Sequence, residues 1–249
     1  MICAIVSDIH SNLEALAAVL ARIEALRVDA VYCLGDLVGY NADPDACVET
    51  VLLRSAAIVR GNHDKAVAGL LGLEWFNDAA REAALWTRRN IAAGSLDRLR
   101  ALPGGPRTVG DGILLCHGTP FDEDEYLVHA DVVGEAFRYL EDTFPRVRFC
   151  LHGHTHHPFV AARRRIGEKP RVLRGSEVVE LEPPTTYLIN PGSVGQPRDG
   201  IAAASFGILD TVGLVYRNLR VAYDVRETQR KIVRAGLPTE LSKRLAEGR

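Results

Sequence analysis

The sequence predicts an α/β protein, and three observations support this fold class. Short runs rich in Val, Ile, Leu and Cys, each bounded by glycine or polar residues, are typical of buried strands. Segments with apolar residues at helical spacing lie between the first of these runs. The resulting order of strand, helix and strand at the start of the chain is typical of a βαβ crossover and therefore of a parallel sheet.

Individual residues predict the strand, helix and strand of the first crossover. A strand is predicted over Ile2–Val6 and a helix over Leu13–Leu26, whose leucines recur on one helical face. The segment from Ser11 to Glu14 matches the capping-box pattern that opens a helix. A second strand at 30–34 completes the unit.

The same alternation continues through the middle of the chain. A second helix begins at Pro44 and covers about 45–53, since proline suits the first helical position, and a strand follows at 56–59. Residues 65–102 are mostly helical by pattern, and we expect them to pack over the sheet edge or to form a small cap. Breaks in this segment are predicted at 69–72 and 92–94, followed by a strand at 113–116, a helix at 130–144 and a strand at 147–151.

The chain changes character after Pro158, where strand and turn signals dominate. Strands are predicted at 159–164, 171–174, 178–181, 187–190, 203–209 and 214–219. Such a run predicts a second, largely antiparallel or mixed sheet that packs on the first. Charged helical sequence at 225–248 ends the chain. Because no linker or low-complexity tract interrupts it, we expect residues 1–249 to form one domain.

Composition excludes several classes of protein. The chain is 47% hydrophobic and 25% charged, which is typical of a soluble globular protein. The net charge of -2 gives no general attraction for nucleic acid or anionic membranes, and no apolar stretch is long enough to span a bilayer. The first apolar run is too short for a signal-peptide core. The five cysteines form no CxxC pair and fit buried, reduced thiols, so we expect a cytoplasmic protein.

Five of the predicted strands are followed by side chains that can bind a metal. These side chains are Asp8 and His10, Asp36, Asn62 with His63 and Asp64, His117, and His152 with His154 and His156. Ligands bind beyond the carboxyl ends of strands in open parallel sheets, so we expect these residues at one sheet edge. Carboxylate, imidazole and carbonyl ligands suit Mn²⁺, Fe²⁺, Zn²⁺ or Ni²⁺ better than Ca²⁺. A carboxylate can also bridge two ions about 3.5–4 Å apart, which predicts a di-metal hydrolytic site.

This ordered set of motifs resembles that of the calcineurin-like metallophosphoesterases, and the resemblance covers residues 2 to about 200. The segment Asn-Pro-Gly-Ser-Val-Gly-Gln-Pro-Arg at 190–198 is similar to a motif of the small bacterial and archaeal phosphodiesterase-type members. The resemblance implies a four-layer α/β sandwich, in which two packed mixed β-sheets are flanked by helices. It also implies a phosphoester hydrolase.

The resemblance further implies a role for each residue. One ion would be held by Asp8, His10, Asp36 and His156, and a second by Asn62, His117, His154 and the bridging Asp36. The nucleophile would be a hydroxide that bridges the two divalent ions, with Mn²⁺ the expected activator in vitro. His63 would act as the general acid, Asp64 would orient its imidazole, and the Asn62 amide could contact a phosphoryl oxygen.

The remaining polar residues near the motifs leave alternatives open. Ser193 could line the site and Arg198 could bind phosphate bidentately, although the 190–198 segment could equally be a simple turn. We expect His152 in the core or behind the ligands, and His129 and His157 at the surface or rim. The three arginines at 163–165 favour a solvated hairpin face over a nucleic-acid patch.

Departures from related families narrow the expected function. Phosphoprotein phosphatases carry Asp-Arg after the bridging aspartate, whereas Gly39, Tyr40 and Asn41 follow here, and Asp64 stands where those enzymes have Glu. We therefore disfavour protein phosphatase and diadenosine-tetraphosphatase activity. The expected function is hydrolysis of a small-molecule or nucleotide phosphodiester, and the alternatives are phosphomonoesterase or nucleotide pyrophosphohydrolase activity. A non-catalytic scaffold is disfavoured because His63 and the whole ligand set are present. No oligomeric state is predicted.

Overall fold

The computed structural model describes residues 1–173 and 177–249, which form twelve strands and eight helices. The strands are β1 (Ile2–Val6), β2 (Ala30–Cys33), β3 (Ala57–Ile58), β4 (Arg107–Val109), β5 (Ile113–Leu115), β6 (Phe149–Leu151), β7 (Pro158–Arg163), β8 (Arg171–Val172), β9 (Val178–Glu180), β10 (Thr186–Pro191), β11 (Ala204–Asp210) and β12 (Val215–Val221). The helices are α1 (Leu13–Leu26), α2 (Pro44–Arg54), α3 (Asn62–Ala68), α4 (Asp78–Asn90), α5 (Ala93–Arg100), α6 (Ala130–Thr143), α7 (Val225–Arg234) and α8 (Thr239–Glu247).

Two six-stranded mixed sheets pack face to face between layers of helices. The first has the order β3-β2-β1-β11-β12-β9 and the second the order β4-β5-β6-β10-β7-β8. One apolar cluster lies between the sheets, where Ile5 and Tyr32 of the first meet Leu115 and Tyr187 of the second. Helices α1 and α2 cover the outer face of the first sheet, and α6 covers that of the second. The predicted four-layer α/β sandwich is confirmed.

The assignment of strands to sheets was partly wrong. The late strands do not form a sheet of their own, because β11 pairs antiparallel with β1 and carries β12 and β9 into the first sheet. Conversely, β5 pairs with β6, and β6 pairs with β10, in the second sheet. The five ligand-bearing strands therefore end at neighbouring edges of two sheets. Alternation of apolar residues predicts a strand but not its partner, since pairing is a long-range choice.

Several local boundaries also differ from the prediction. The N-cap of α1 is Asn12, whose side chain accepts a hydrogen bond from the Ala15 N–H at 3.1 Å. The capping-box prediction fails because Glu14 instead bonds Thr228 and Lys231. The expected break at 92–94 shrinks to residues 91 and 92, and the C-terminal helical sequence divides into α7 and α8. The predicted strand at 171–174 ends at residue 172, and residue 174 lies outside the described residues.

The burial of the cysteines agrees with the sequence prediction, and that of the arginines at 163–165 agrees with it only in part. All five cysteines are free and buried. Arg163 corrects the expectation of a solvated arginine face, because it is buried on β7 and pairs with Glu141, whereas Arg164 and Arg165 are exposed. Within the described ranges, no helix combines the length and the apolar character that crossing a bilayer requires.

Candidate metal centre

The loops that carry the predicted ligands share an unusual backbone conformation. Positive φ angles occur at Asp8 (55°), His10 (49°), Asp36 (54°), His154 (66°) and His156 (60°). L-residues rarely adopt this left-handed region, and such conformations cluster at functional sites. Backbone hydrogen bonds between loops hold them in place, for example from the His10 N–H to the Asp36 carbonyl at 2.9 Å. The two sheets therefore support a rigid set of side chains.

The first ligand group consists of Asp8, His10, Asp36 and His156, whose candidate ligand atoms all lie within 4.8 Å of one another. The Nε2 atoms of His10 and His156 are 3.1 Å apart. Each Nδ1 faces a backbone carbonyl, that of Val38 at 3.0 Å or that of Gln196 at 2.6 Å. Since a carbonyl only accepts, both Nδ1 atoms carry the proton and both Nε2 lone pairs face each other. A cation between them relieves this repulsion, and thus the donor set fits a metal ion.

The second ligand group consists of Asp36, His117 and His154, again within 4.8 Å. His117 donates from Nδ1 to the Leu34 carbonyl at 2.7 Å, and its Nε2 lies 3.3 Å from Asp36 Oδ2 and 3.2 Å from Asn62 Oδ1. His154 donates from Nε2 to the Asp124 carbonyl at 3.0 Å, which leaves its Nδ1 for a metal. The two groups share Asp36.

The charge balance of the centre also favours cations. Asp8 is fully buried and Asp36 is 1% exposed. Burial raises the pKa of Asp8 to about 7, so a second negative charge is costly without added positive charge. Although burial opposes it, the Asp36 carboxylate raises the pKa of His117 to about 10. A divalent ion would displace that proton and supply the missing charge.

His63 lies beside the centre and belongs to neither ligand group. Its ring packs against those of Tyr40, His10 and Phe76, with centroid distances of 4.5, 4.8 and 4.9 Å. Gly39 makes this packing possible, because its φ is +95° and a Cβ atom there would lie 2.5 Å from His63 Nδ1. Among the described residues, no group hydrogen-bonds to that Nδ1. Aromatic packing therefore orients the imidazole.

Asp64 does not orient His63, contrary to the prediction. Its Oδ1 accepts the N–H groups of Leu37 at 2.8 Å and Val38 at 3.3 Å, and its Oδ2 accepts that of Gly61 at 2.9 Å. A carboxylate engaged in three backbone hydrogen bonds fixes the loop that follows Asp36. Adjacency in the chain suggested a side-chain pair, but the helical turn at α3 points the two side chains in different directions.

Ser193 and Arg198 occupy different positions relative to the centre. The buried Ser193 hydroxyl donates to the Asp8 carbonyl and accepts from the Gln196 N–H, both at 2.8 Å, so it supports the Asp8 loop. Arg198 donates to Tyr40 Oη at 3.1 Å and to Gln196 Oε1 at 3.0 Å. The Arg198 Nε–H is buried and has no hydrogen-bond acceptor in the described part of the chain.

The other histidines lie where the sequence placed them. His152 is fully buried, and its Nδ1 lies 3.3 Å from Asn190 Nδ2, behind the ligand loops. His129 and His157 are exposed and belong to neither ligand group.

Sequence reasoning missed the loop at 119–128. Lys65 is only 6% exposed, and its Nζ bonds Glu123 at 2.9 Å and Asp124 at 2.6 Å. The Tyr126 ring stacks on that of His154 with centroids 3.8 Å apart. The acidic run at 122–125 was a visible signal, but it matched no ligand motif.

Comparison with known proteins assigns the family. The profile of the calcineurin-like phosphoesterase superfamily domain matches residues 1–213. The chain belongs to this superfamily. An uncharacterised protein of Methanocaldococcus jannaschii is 40% identical over 250 residues, which cover 99% of this chain and 98% of that protein. The predicted resemblance is confirmed.

Solved structures agree with this superfamily assignment. A metallophosphoesterase from Sphaerobacter thermophilus has a TM-score of 0.84 and 37% identity, covering 100% of this chain and 99% of that chain. A hypothetical protein from Pyrococcus horikoshii has a TM-score of 0.79 and 20% identity, covering 100% and 98%, and supports the fold alone. Membership in this superfamily makes the chain a phosphoester hydrolase whose Asp and His cluster can bind divalent metals.

Proposed function

We propose that this protein is a phosphodiesterase that hydrolyses a small-molecule or nucleotide phosphodiester with the help of two divalent ions. The observation that carries the proposal is the arrangement around Asp36. Two groups of potential ligands share this carboxylate, and His63 lies next to them without joining either. Hydrolases that use two ions need adjacent sites, and a leaving oxygen needs a proton donor that is not itself a ligand.

Each ion has a proposed set of ligands. Asp8, His10, Asp36 and His156 would hold one ion, and Asp36, Asn62, His117 and His154 would hold the other. When bound, the ions lower the pKa of water and stabilise negative charge on the phosphoryl oxygens. The donor types suit Mn²⁺, Fe²⁺, Zn²⁺ or Ni²⁺, and Mn²⁺ is our choice for assays.

His63 is the proposed proton donor. Burial lowers the pKa of His63 to about 4, so its imidazole is neutral before substrate binds. The negative charge of a bound phosphate favours protonation of the imidazole, which takes the proton from solvent. The proton then passes to the leaving oxygen as its bond to phosphorus breaks. The packing of His63 between Tyr40 and Phe76 holds the ring for this transfer.

The distribution of cations favours a diester over a monoester. Arg60 and Lys65 both pair with Glu123, and Lys65 also pairs with Asp124. Arg198 has no carboxylate partner in the ranges that the structure describes, so it is the cation left for substrate. A phosphodiester carries one negative charge, whereas a monoester carries nearly two at neutral pH because its second pKa is about 6. The single positive charge of the Arg198 guanidinium matches the single negative charge of a diester.

The test uses protein stripped of metal and reloaded with single ions. We expect bis(p-nitrophenyl) phosphate to give a higher kcat/KM than p-nitrophenyl phosphate. Arg198→Gln should lower kcat/KM for the diester about ten- to hundredfold, because this range corresponds to the free energy of a hydrogen bond to a charged group. Arg230→Gln is the matched control, because Arg230 is exposed and pairs with Glu227 within α7. A preference for the monoester would favour a phosphomonoesterase, and inactivity with both ions bound would favour a scaffold.

Two broader properties belong to the same proposal. Five free buried cysteines fit a reducing compartment, and therefore we propose that the protein acts in the cytoplasm. We also propose that residues 1–249 act as one domain, in which α7 and α8 pack against Tyr40 and Phe76 beside His63. Of the segment at 65–102, the loop before α4 carries Phe76 and would cover the site, while the helices pack into the core.

A further inference from the structure

The loop at 119–128 is anchored beside His154 on several sides. Lys65 bonds the carboxylates of Glu123 and Asp124, and Arg60 bonds Glu123 at 3.1 Å. The Asp124 carbonyl accepts the Nε2–H of His154 at 3.0 Å. Leu127 is buried in the apolar cluster under α6. Tyr126 lies between these anchors, so its ring is held in place before any ligand binds.

Within the described residues, only one face of the Tyr126 ring stacks on another ring of the protein. This face stacks on the His154 imidazole at a centroid distance of 3.8 Å and an interplanar angle of 25°. The residue nevertheless remains 47% exposed. An open aromatic surface therefore adjoins a proposed metal ligand.

Tyr126 and His63 contact different histidines of the ligand set, His154 and His10 respectively. His63 packs on His10, whose Nε2 is 3.6 Å from Asp36 Oδ2. On the other side, His117 Nε2 lies 3.3 Å from the same Asp36 oxygen, and the His117 ring is 4.9 Å from that of His154. If the leaving group departs at His63, the second substituent of a diester extends toward His154 and its stacked tyrosine.

We propose that Tyr126 forms a stacking subsite for the substituent that stays on the phosphate, and that this substituent is a planar aromatic group. This inference rests on the proposed phosphodiesterase function. A rigid aromatic ring binds planar groups at low entropic cost. The open face of Tyr126 supplies the platform beside His154, a proposed ligand of one ion.

The kinetic test compares two diesters with the same leaving group. Methyl p-nitrophenyl phosphate and phenyl p-nitrophenyl phosphate both release p-nitrophenolate, and only the retained group differs. The binding free energy of stacking on an aromatic side chain typically corresponds to about a tenfold change in affinity. We therefore expect Tyr126→Leu to lower the phenyl-to-methyl ratio of kcat/KM about tenfold. Tyr126→Phe should keep the ratio. Val128→Ala, which removes apolar surface from a 49% exposed residue of the same loop, is the control and should also keep it.

A binding test separates stacking from support of His154. Phenylphosphonate and methylphosphonate are not hydrolysed, and their dissociation constants with the metal-loaded protein can be measured by calorimetry. Tyr126→Leu should weaken phenylphosphonate binding about tenfold more than methylphosphonate binding, with metal content retained. Equal losses for both ligands, or loss of metal, would make Tyr126 a support for His154 and overturn the proposal. An unchanged preference would also overturn it. If wild type binds phenylphosphonate selectively but hydrolyses neither diester, the proposed function fails and the subsite stands.

Discussion

Asp36 accepts the backbone N–H of His63 through Oδ1 at 2.8 Å, while its Oδ2 faces the imidazoles of both ligand groups. One carboxylate therefore contacts both proposed ion sites and the first turn of α3, which carries the proposed general acid. Metal binding and placement of the proton donor depend on the same side chain. This makes Asp36 the most informative residue to change.

Asp36→Asn should abolish two-metal occupancy and lower activity on the order of 10³-fold, since loss of the bridging charge weakens both ions. The fold should change little, because an amide oxygen can still accept the His63 N–H. Mass spectrometry measures the metal content, and circular dichroism checks that the fold is retained. Asp97→Asn, at an exposed pair with Arg100 on α5, is the control. Two ions per chain in Asp36→Asn would contradict the bridging role.

His10→Ala and His117→Ala should each deplete a different ion. His10 lies only in the first ligand group and His117 only in the second. Anomalous scattering from crystals of each variant, soaked in Mn²⁺, should locate one strong site and one weak site, reversed between the variants. Depletion of the same site in both would mean that the partition is wrong.

His63→Ala should leave metal content intact, because this imidazole is in neither ligand group. General acid catalysis typically contributes about 10²–10⁴-fold, and it matters most for a basic leaving oxygen. The rate loss should therefore be large for alkyl or ribose diesters and much smaller for p-nitrophenyl diesters. Equal losses across leaving groups would instead assign His63 to substrate positioning.

Lys65→Met should weaken the ion that His154 helps to hold. Lys65 fixes Asp124, whose carbonyl orients the His154 imidazole, and groups behind metal ligands typically contribute about 10–100-fold to affinity. Titration with Mn²⁺ should show one weakened site. Lys231→Met is the matched control, because Lys231 also pairs with two carboxylates, Glu14 and Asp43, but away from the ligands. Equal effects of the two variants would remove the role assigned to Lys65.

The elements that the sequence predicted well are those with local causes. Helix α1 has the predicted bounds because its apolar spacing lies within fourteen residues. The ligand residues follow their strands as expected, since a strand that ends in a tight turn delivers the next polar side chain to the sheet edge. The pairing of β11 with β1 was not predictable in this way, because those residues are about two hundred positions apart.

The sequence by itself determined the fold class, the family motifs and the set of proposed metal-binding side chains, because these reside in short segments whose chemistry is visible in the chain. Only the tertiary structure decided how they are used. It turned Asp64 toward the backbone of Leu37 and Val38, and it brought Lys65 to Asp124 and Tyr126 to His154. These contacts join residues far apart in the chain, and their energy comes from burial and pairing that no local pattern records.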